Sequence, residues 1–400
     1  MLTEKHLDRY ADVLLWGLKT ARNGRLKKSE YFLIRFRSPA LRLAEILHAK
    51  LIDMGMVPIM RMDLTPTMEQ NFFESANRKQ LTLPIPGDKE LYRNLNGSIF
   101  LHAPDSITHL SHVDPKKIGQ FLLSRKYLRD IIDRRDAQGL FSWTLCMVPT
   151  AELAKHARMG LQAYTNQVVK ACFLNRRAPL DQWRQIYRKA RGIKQWLNQL
   201  RVKHFHIESR NVDLVITPGA KRKWIGISGH NIPSFELFLS PDWRGTQGHY
   251  YADQPSYRSG NYVEGVKLTF KKGTAVKIQA QTGEKFVQKQ LAMDRGASRL
   301  GEFSLTDKRF SRINRFMANT LYDENYGGRF GNCHIALGSS YADTYDGNPA
   351  RLNKTRKAQL GFNDSALHWD LVNTEKKRVV AHLVGGDRIT IYEDGRFNHG

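Results

Sequence analysis

The 400-residue chain carries 63 Lys and Arg against 38 Asp and Glu, a net charge of +25, with 41% hydrophobic residues. That length suits two cored domains better than one, and no stretch approaches the roughly 20 apolar residues of a membrane span. Cys146, Cys172 and Cys333 are widely spaced and without CxxC pairing, which argues against a disulfide framework or a thiolate zinc site. A multidomain globular protein of a reducing compartment is expected.

In the first half, Leu7, Tyr10, Ala11, Leu14, Leu15 and Leu18 recur at helical spacing, and Leu41 to Met54 form a second amphipathic segment stopped by Gly55. Val57-Pro-Ile-Met-Arg-Met reads as a strand. A helix from Pro115 to about Arg135, a strand from Phe141 to Val148, a helix opening at Thr150 and a helical stretch from Leu180 to about Leu200 follow. This alternation predicts an α/β domain with a mainly parallel sheet over residues 1–202. Beyond Val202 glycines become frequent, and short β-type runs (Val212 to Thr217, Tyr262 to Phe270, Arg388 to Tyr392) are punctuated by turns. Ala297 to Leu300 and Ser311 to Ala318 are the modest helical candidates. Residues 203–400 therefore read as a strand-rich α+β domain.

The basic residues come in scattered pairs and triplets, such as Lys116-Lys117, Lys221-Arg222-Lys223 and Lys376-Lys377-Arg378. A scatter of this kind fits a solvated basic surface. A nucleic acid or other polyanion partner is the alternative that the charge admits, but no nucleic-acid motif or interleaved aromatic platform accompanies it. The start, Met1-Leu-Thr-Glu-Lys, has no charged-then-apolar export signal. A cytoplasmic location with no membrane association is the expectation.

Four segments of the second half concentrate carboxylates and histidines. In Asn231-Ile-Pro-Ser-Phe-Glu, Glu236 interrupts an apolar run and would be costly to bury unpaired; Glu302 has the same setting in Arg299-Leu-Gly-Glu-Phe. Taken singly, Glu236 also fits a capping or arginine-paired carboxylate, and Glu302 a surface carboxylate. Glu324 and His334 suit a metal, Tyr341 lies seven residues beyond that histidine, and a histidine beside Ile-Ala-Leu equally fits a satisfied core residue. Cys333 reads as a small buried thiol, and Tyr326-Gly-Gly-Arg-Phe-Gly lacks the lysine and hydroxyl of a phosphate loop. In His368-Trp-Asp370 a strand's period of two puts His368 and Asp370 on one face, with Trp369 and Leu371 on the other. Together Glu236, Glu302, Glu324, Asp370, His334 and His368 form the donor inventory of a two-cation site. Oxygen-rich ligation with some nitrogen suits zinc, cobalt or manganese, with magnesium a further candidate.

These segments resemble the thermophilic metalloaminopeptidases of the aminopeptidase T and aminopeptidase S type, metallopeptidase family 29. The resemblance rests on Asp213-Leu, Trp224-Ile-Gly, Asn231-Ile-Pro-Ser-Phe-Glu236, Leu300-Gly-Glu302, Thr320-Leu-Tyr-Asp-Glu324-Asn, Cys333-His334-Ile-Ala-Leu-Gly-Ser-Ser-Tyr341 and His368-Trp-Asp370. Weaker likeness lies in Ser38-Pro-Ala-Leu and Pro149-Thr-Ala-Glu-Leu-Ala. Phe235 and Leu371-Val depart from the family's usual residues, and Gly-Gly-Arg-Phe-Gly lengthens the span between Glu324 and His334. The resemblance implies that Glu236, Glu302, Glu324, His334, His368 and Asp370 ligate two divalent ions, with Glu302 nearest the attacking water. It implies that Tyr341 is the catalytic hydroxyl, that the active site lies in the C-terminal domain, that substrates are peptides with a free N-terminus, and that the protein is a homodimer. A catalytically retired peptide-binding or scaffold protein of the same fold is the competing expectation.

Overall fold

The computed structural model describes residues 1–22 and 24–399. The chain divides into two compact units. The first comprises Met1–Trp183 and Ser228–Ser234; the second comprises Arg184–Ile227 and the chain from Phe235 onward.

The first unit is built on a five-stranded parallel sheet, ordered Val57–Met62, Tyr31–Phe36, Gly97–His102, Ser142–Met147 and Asn231–Ile232. Parallel strands need crossover connections, and helices supply them. The helix Glu4–Ala21 starts where the Thr3 hydroxyl accepts the His6 amide, and it buries Leu7, Tyr10, Ala11, Leu14 and Leu18 along one face. Its Gly17 lies so close to the Gly229 carbonyl that a Cβ there would meet that oxygen at 2.6 Å. The helix Leu41–Asp53 buries Leu43, Ala44, Leu47 and Leu51, and the chain reverses after it at Gly55, whose φ of +75° favours glycine. Thr150 caps the helix Ala151–His156.

The second unit holds an eight-stranded antiparallel sheet, ordered Thr274–Gln279, Val266–Lys271, Asp242–Ala252, Asp213–Thr217, Val202–Ser209, Lys377–Leu383, Arg388–Glu393 and Arg396–Phe397. A four-stranded antiparallel sheet runs His368–Asn373, Asn332–Gly338, Leu300–Thr306 and Glu236–Leu239. The two sheets share a core in which Phe205 and Phe303 have ring centres 5.7 Å apart and Trp224 packs edge-on to both. The buried Tyr250 hydroxyl lies 2.9 and 2.8 Å from the carbonyls of Cys333 and Leu371, tying the larger sheet to the smaller.

The parallel α/β region and the strand-rich region are as expected; several elements differ in detail. The helix expected from Pro115 to Arg135 is two helices, Pro115–Ser124 and Lys126–Ala137. Arg125 leaves helical geometry at the join, and its guanidinium lies over the Phe121 ring and donates to the Leu81 carbonyl. The expected strand from Tyr262 to Phe270 breaks at Gly265, where φ is +64°. Ala297 to Leu300 is a turn leading into a strand: the Gly296 carbonyl, which a helix would offer to Leu300, accepts instead from the Arg299 amide at 3.0 Å and from Asn363 Nδ2 at 2.7 Å. Ser311 to Ala318 is irregular, because the Asp323 carboxylate accepts the amides of Met317 and Asn319 and Ala318 sits at φ +50°. The cysteines are free and buried. Among the described residues no helix is long and apolar enough to cross a membrane.

Candidate metal centre

The four-stranded sheet determines the site. Its two middle strands, Leu300–Thr306 and Asn332–Gly338, are buried along their whole length. Alternation divides their side chains by chemistry. Phe303, Leu305, Cys333, Ile335 and Leu337 occupy the apolar face; Glu302, Ser304, Thr306, His334 and Ala336 occupy the other. Cross-strand register then assembles the polar groups. Glu302, Ala336 and Asp370 lie in one row, and Ser304, His334 and Val372 in the next. Glu236 stands opposite Thr306 at the edge. Gly301 precedes Glu302 where the register slips, and it packs so tightly on the Gly338 and Ser339 carbonyls that a Cβ would collide with them.

Glu236, Glu302 and His334 each offer a ligand atom, and those atoms lie within 4.8 Å of one another. His334 Nε2 is 3.2 Å from Glu236 Oε2 and 3.2 Å from Glu302 Oε1. His368 and Asp370 adjoin this trio on the same face of their strand, as the period of two predicts. His368 Nε2 is 3.4 Å from Asp370 Oδ1 and 3.9 Å from Glu302 Oε2, and His334 Nε2 is 4.0 Å from Asp370 Oδ1. Trp369 and Leu371 are buried on the opposite face.

Glu324 follows the single helical turn Thr320–Asp323 and is buried. The glycine-rich span after it folds back: Gly331 donates to the Gly327 carbonyl at 2.7 Å, and Asn332 Nδ2 donates to the Glu324 and Tyr326 carbonyls at 2.9 and 2.7 Å. The extra residues therefore close into a tight loop beside Glu324. Tyr341 is anchored by its amide, which donates to Ser240 Oγ at 2.8 Å; its ring lies 4.7 Å from that of His368 and 6.0 Å from that of Phe238.

Crowding of buried charges dominates the electrostatics. Burial, and then the charge of Glu236, push the Glu302 carboxyl up to about 7 against the pull of His334. Burial together with Glu236, Asp370 and Glu302 drives Glu324 well above the carboxylate range. Burial alone would lower His334, but hydrogen bonds to Glu236 and Glu302 outweigh it and hold the imidazole well above the ordinary histidine value. Asp370 runs the other way: burial raises it, His368 and His334 lower it more, and it falls to about 2.

Several residues of the site do not stand out in the sequence. Ser304 donates to Glu236 Oε2 at 3.1 Å. Ala336 leaves space between Glu302 and Asp370. The period of two that exposed the His368–Asp370 pair would have found both. Arg258 donates to the His368 carbonyl at 2.9 Å, its guanidinium lies 5.5 Å from the Trp369 ring centre, and burial depresses it to about 10. It comes from a three-residue strand, Ser256–Arg258, which no local pattern marks.

A family model described as thermophilic metalloprotease (M29) matches residues 3–397. The chain belongs to this family. Among its relatives, aminopeptidase PepS of Streptococcus thermophilus is 27% identical over 273 residues, covering 64% of this chain and 65% of that one, just under two thirds of the relative's length. Aminopeptidase AmpS of Bacillus subtilis is 26% identical over 330 residues, covering 78% of each. The solved structure of wild-type AmpT from Thermus thermophilus superposes with a TM-score of 0.79 at 20% identity, covering 98% of this chain and 99% of that one. The fold is thus shared along essentially the whole length of both chains.

The donor set fits the divalent metal that the family name implies. Oxygen and imidazole donors without thiolate suit a zinc-like cation. The raised carboxyl groups of Glu302 and Glu324 are those of negative groups packed together without enough positive charge. His368 carries a further mark of a ligand: its Nδ1 lies 2.9 Å from the Ser339 carbonyl, an outer partner that fixes the ring and directs Nε2 toward Asp370 and Glu302.

Proposed function

We propose that this chain is a cytoplasmic metal-dependent aminopeptidase that removes residues one at a time from peptides with a free N-terminus, working as a homodimer. The observation that carries the reading is the convergence of Glu236, Glu302 and His334 within 4.8 Å, with the His368–Asp370 pair beside them in a metalloprotease family. Glu236, Glu302, Glu324, His334, His368 and Asp370 are the proposed ligands of two divalent ions. Bound there, such ions supply Lewis acidity to a scissile carbonyl and lower the pKa of a water. Glu302, which lies 3.2 Å from His334 Nε2 and 3.9 Å from His368 Nε2, is the proposed acceptor of a proton from the attacking water. Tyr341, whose ring lies 4.7 Å from that of His368, is the proposed hydroxyl donor to the developing oxyanion.

The test combines metal analysis of the purified protein with hydrolysis of unblocked and N-acetylated dipeptide substrates before and after chelation. Bound divalent metal, cleavage of the unblocked substrate alone, and loss of activity on chelation are expected. Metal-free active protein, or equal cleavage of blocked substrates, would overturn the reading.

A further inference from the structure

The four-stranded sheet carries its candidate ligands on strands of unequal support. Glu302 and His334 stand on the two middle strands, which have a hydrogen-bonded neighbour on either side; His368 and Asp370 stand on the edge strand His368–Asn373, which has one. A short hairpin, Ser256–Arg258 with Asn261–Val263, grips that edge strand from outside the sheet. It turns at Ser259 and Gly260, whose φ of +46° and +78° suit a two-residue hairpin turn, and its Tyr257 and Tyr262 ring centres lie 5.1 Å apart. Three bonds join the hairpin and the residues just before it to the strand. Gln254 N donates to the Val372 carbonyl at 3.3 Å, Ser256 Oγ accepts from Trp369 Nε1 at 3.1 Å, and Arg258 Nη1 donates to the His368 carbonyl at 2.9 Å. Among the described residues Arg258 forms no salt bridge; its other hydrogen bond runs from Nε to Gln290 Oε1 at 3.4 Å. The His368 carbonyl, and not a carboxylate, is therefore the group its guanidinium is built to meet.

We propose that Arg258 is a positioning residue of the metal centre: it holds the edge strand so that His368 and Asp370 present their ligand atoms to one of two ions, while the ion nearer Glu236, Glu302 and His334 is held without it. The inference rests on the two-ion reading above. In a strand the peptide planes set the directions of the side chains, and His368 and Asp370 leave on one face with Trp369 between them on the other. Arg258 fixes the peptide between His368 and Trp369 by its carbonyl, and Ser256 fixes the Trp369 side chain. The Ser339 carbonyl, 2.9 Å from His368 Nδ1, fixes the ring itself. Together these contacts keep His368 Nε2 and Asp370 Oδ1 at 3.4 Å. Functional side chains have to be held within about 0.5 Å of their working positions. The middle strands receive that support from the sheet on both sides; the edge strand receives it on its second side from the hairpin.

The experiment titrates Zn2+ into chelator-stripped full-length protein against a competing chelator. It compares the unmodified chain with Arg258→Met, which keeps an unbranched apolar stem without donors, and with Arg258→Lys, which restores one donor. The unmodified protein is expected to take up two Zn2+ per chain. In Arg258→Met one of them should bind about 10–100-fold more weakly, the range for losing an outer partner of a metal ligand, with the other unchanged. Arg258→Lys should recover most of that loss. At limiting Zn2+, Arg258→Met should show a lower kcat at unchanged KM on an unblocked dipeptide, and excess Zn2+ should restore kcat, which a fold damaged by the substitution would not allow. Two ions held by Arg258→Met as tightly as by the unmodified protein overturn the inference and leave the two-ion reading standing. Tighter binding, as removal of a neighbouring positive charge alone would give, does the same. Equal weakening of both ions, or a loss of turnover that excess Zn2+ does not reverse, also overturns it, since Arg258 would then support the fold at large. An unmodified protein that takes up fewer than two Zn2+ removes the two-ion reading, and this inference with it.

Discussion

Two strands, one from each unit, both bury consecutive residues and differ in what they bury. In Tyr31–Phe36 of the parallel sheet, Phe32, Leu33 and Ile34 are buried in succession, so both faces meet apolar packing. In Leu300–Thr306 every residue is buried, yet the faces divide: Leu300, Phe303 and Leu305 join the core while Glu302, Ser304 and Thr306 line a charged chamber. The first pattern serves stability alone. The second holds ionisable groups where water cannot relieve them, a costly arrangement unless a partner of opposite charge is supplied. Burial therefore locates the interior, and the chemistry of alternate residues locates the site.

Four substitutions sharpen or break that contrast, in order of expected effect. His334→Ala removes the imidazole closest to Glu236 and Glu302. It should cost more metal affinity than the roughly 10–100-fold typical of losing an outer-shell partner and reduce peptide hydrolysis to background; retained metal with retained turnover would remove His334 from the ligand set. Phe32→Ala, in the parallel sheet, should lower stability by about 3–5 kcal/mol in denaturant titration while changing kcat/KM per folded molecule by less than about threefold. A selective loss of activity there would show that the contrast between the strands is false.

Tyr341→Phe deletes only the hydroxyl. It should keep metal content and reduce kcat by about 100- to 1,000-fold, as loss of one oxyanion donor does; unchanged turnover would reject the role. Glu302→Gln should move stability and activity in opposite directions. Because the folded-state pKa of Glu302 is raised from its ordinary 4.5 to about 7, its ionised form is disfavoured by folding. The penalty is absent below pH 4.5, grows as pH rises, and is complete above 7. In chelated protein at pH 8 the variant should therefore melt higher by a few degrees, at about 2–4 °C per kcal/mol relieved. That gain should shrink toward pH 4.5, and peptide hydrolysis in metal-replete protein should be lost. A lower melting temperature at pH 8 would contradict the crowded-charge account.

Much of this was legible before the structure. The helix Glu4–Ala21 follows from the spacing of Leu7, Tyr10, Leu14 and Leu18, and the His368–Asp370 pairing from a period of two. Less legible were segments whose backbone groups are claimed by distant side chains. Nothing in Ser311 to Ala318 shows that the Asp323 carboxylate will take the amide of Met317 and that of Asn319 just beyond, and nothing in Ala297 to Leu300 shows that Asn363 will donate to the Gly296 carbonyl. Arg125 has an ordinary helical neighbourhood, and the Leu81 carbonyl that its guanidinium meets lies 44 residues away.

The sequence by itself determined the chemistry on offer: which carboxylates and imidazoles interrupt apolar runs, and which of them share a strand face, because side-chain alternation is a property of the backbone alone. Only the tertiary structure decided which of them meet. Glu236, Glu302 and His334 lie on three strands far apart in the chain, and it is the register Thr306 to Glu236 and Ser304 to His334 that puts their atoms within 4.8 Å. The start of the glycine-rich loop is likewise held from outside it: the amides of Gly327 and Gly328 both donate to the Ile313 carbonyl, at 2.8 and 3.1 Å. Register is a cooperative result of packing one whole face at once, so no single segment carries it.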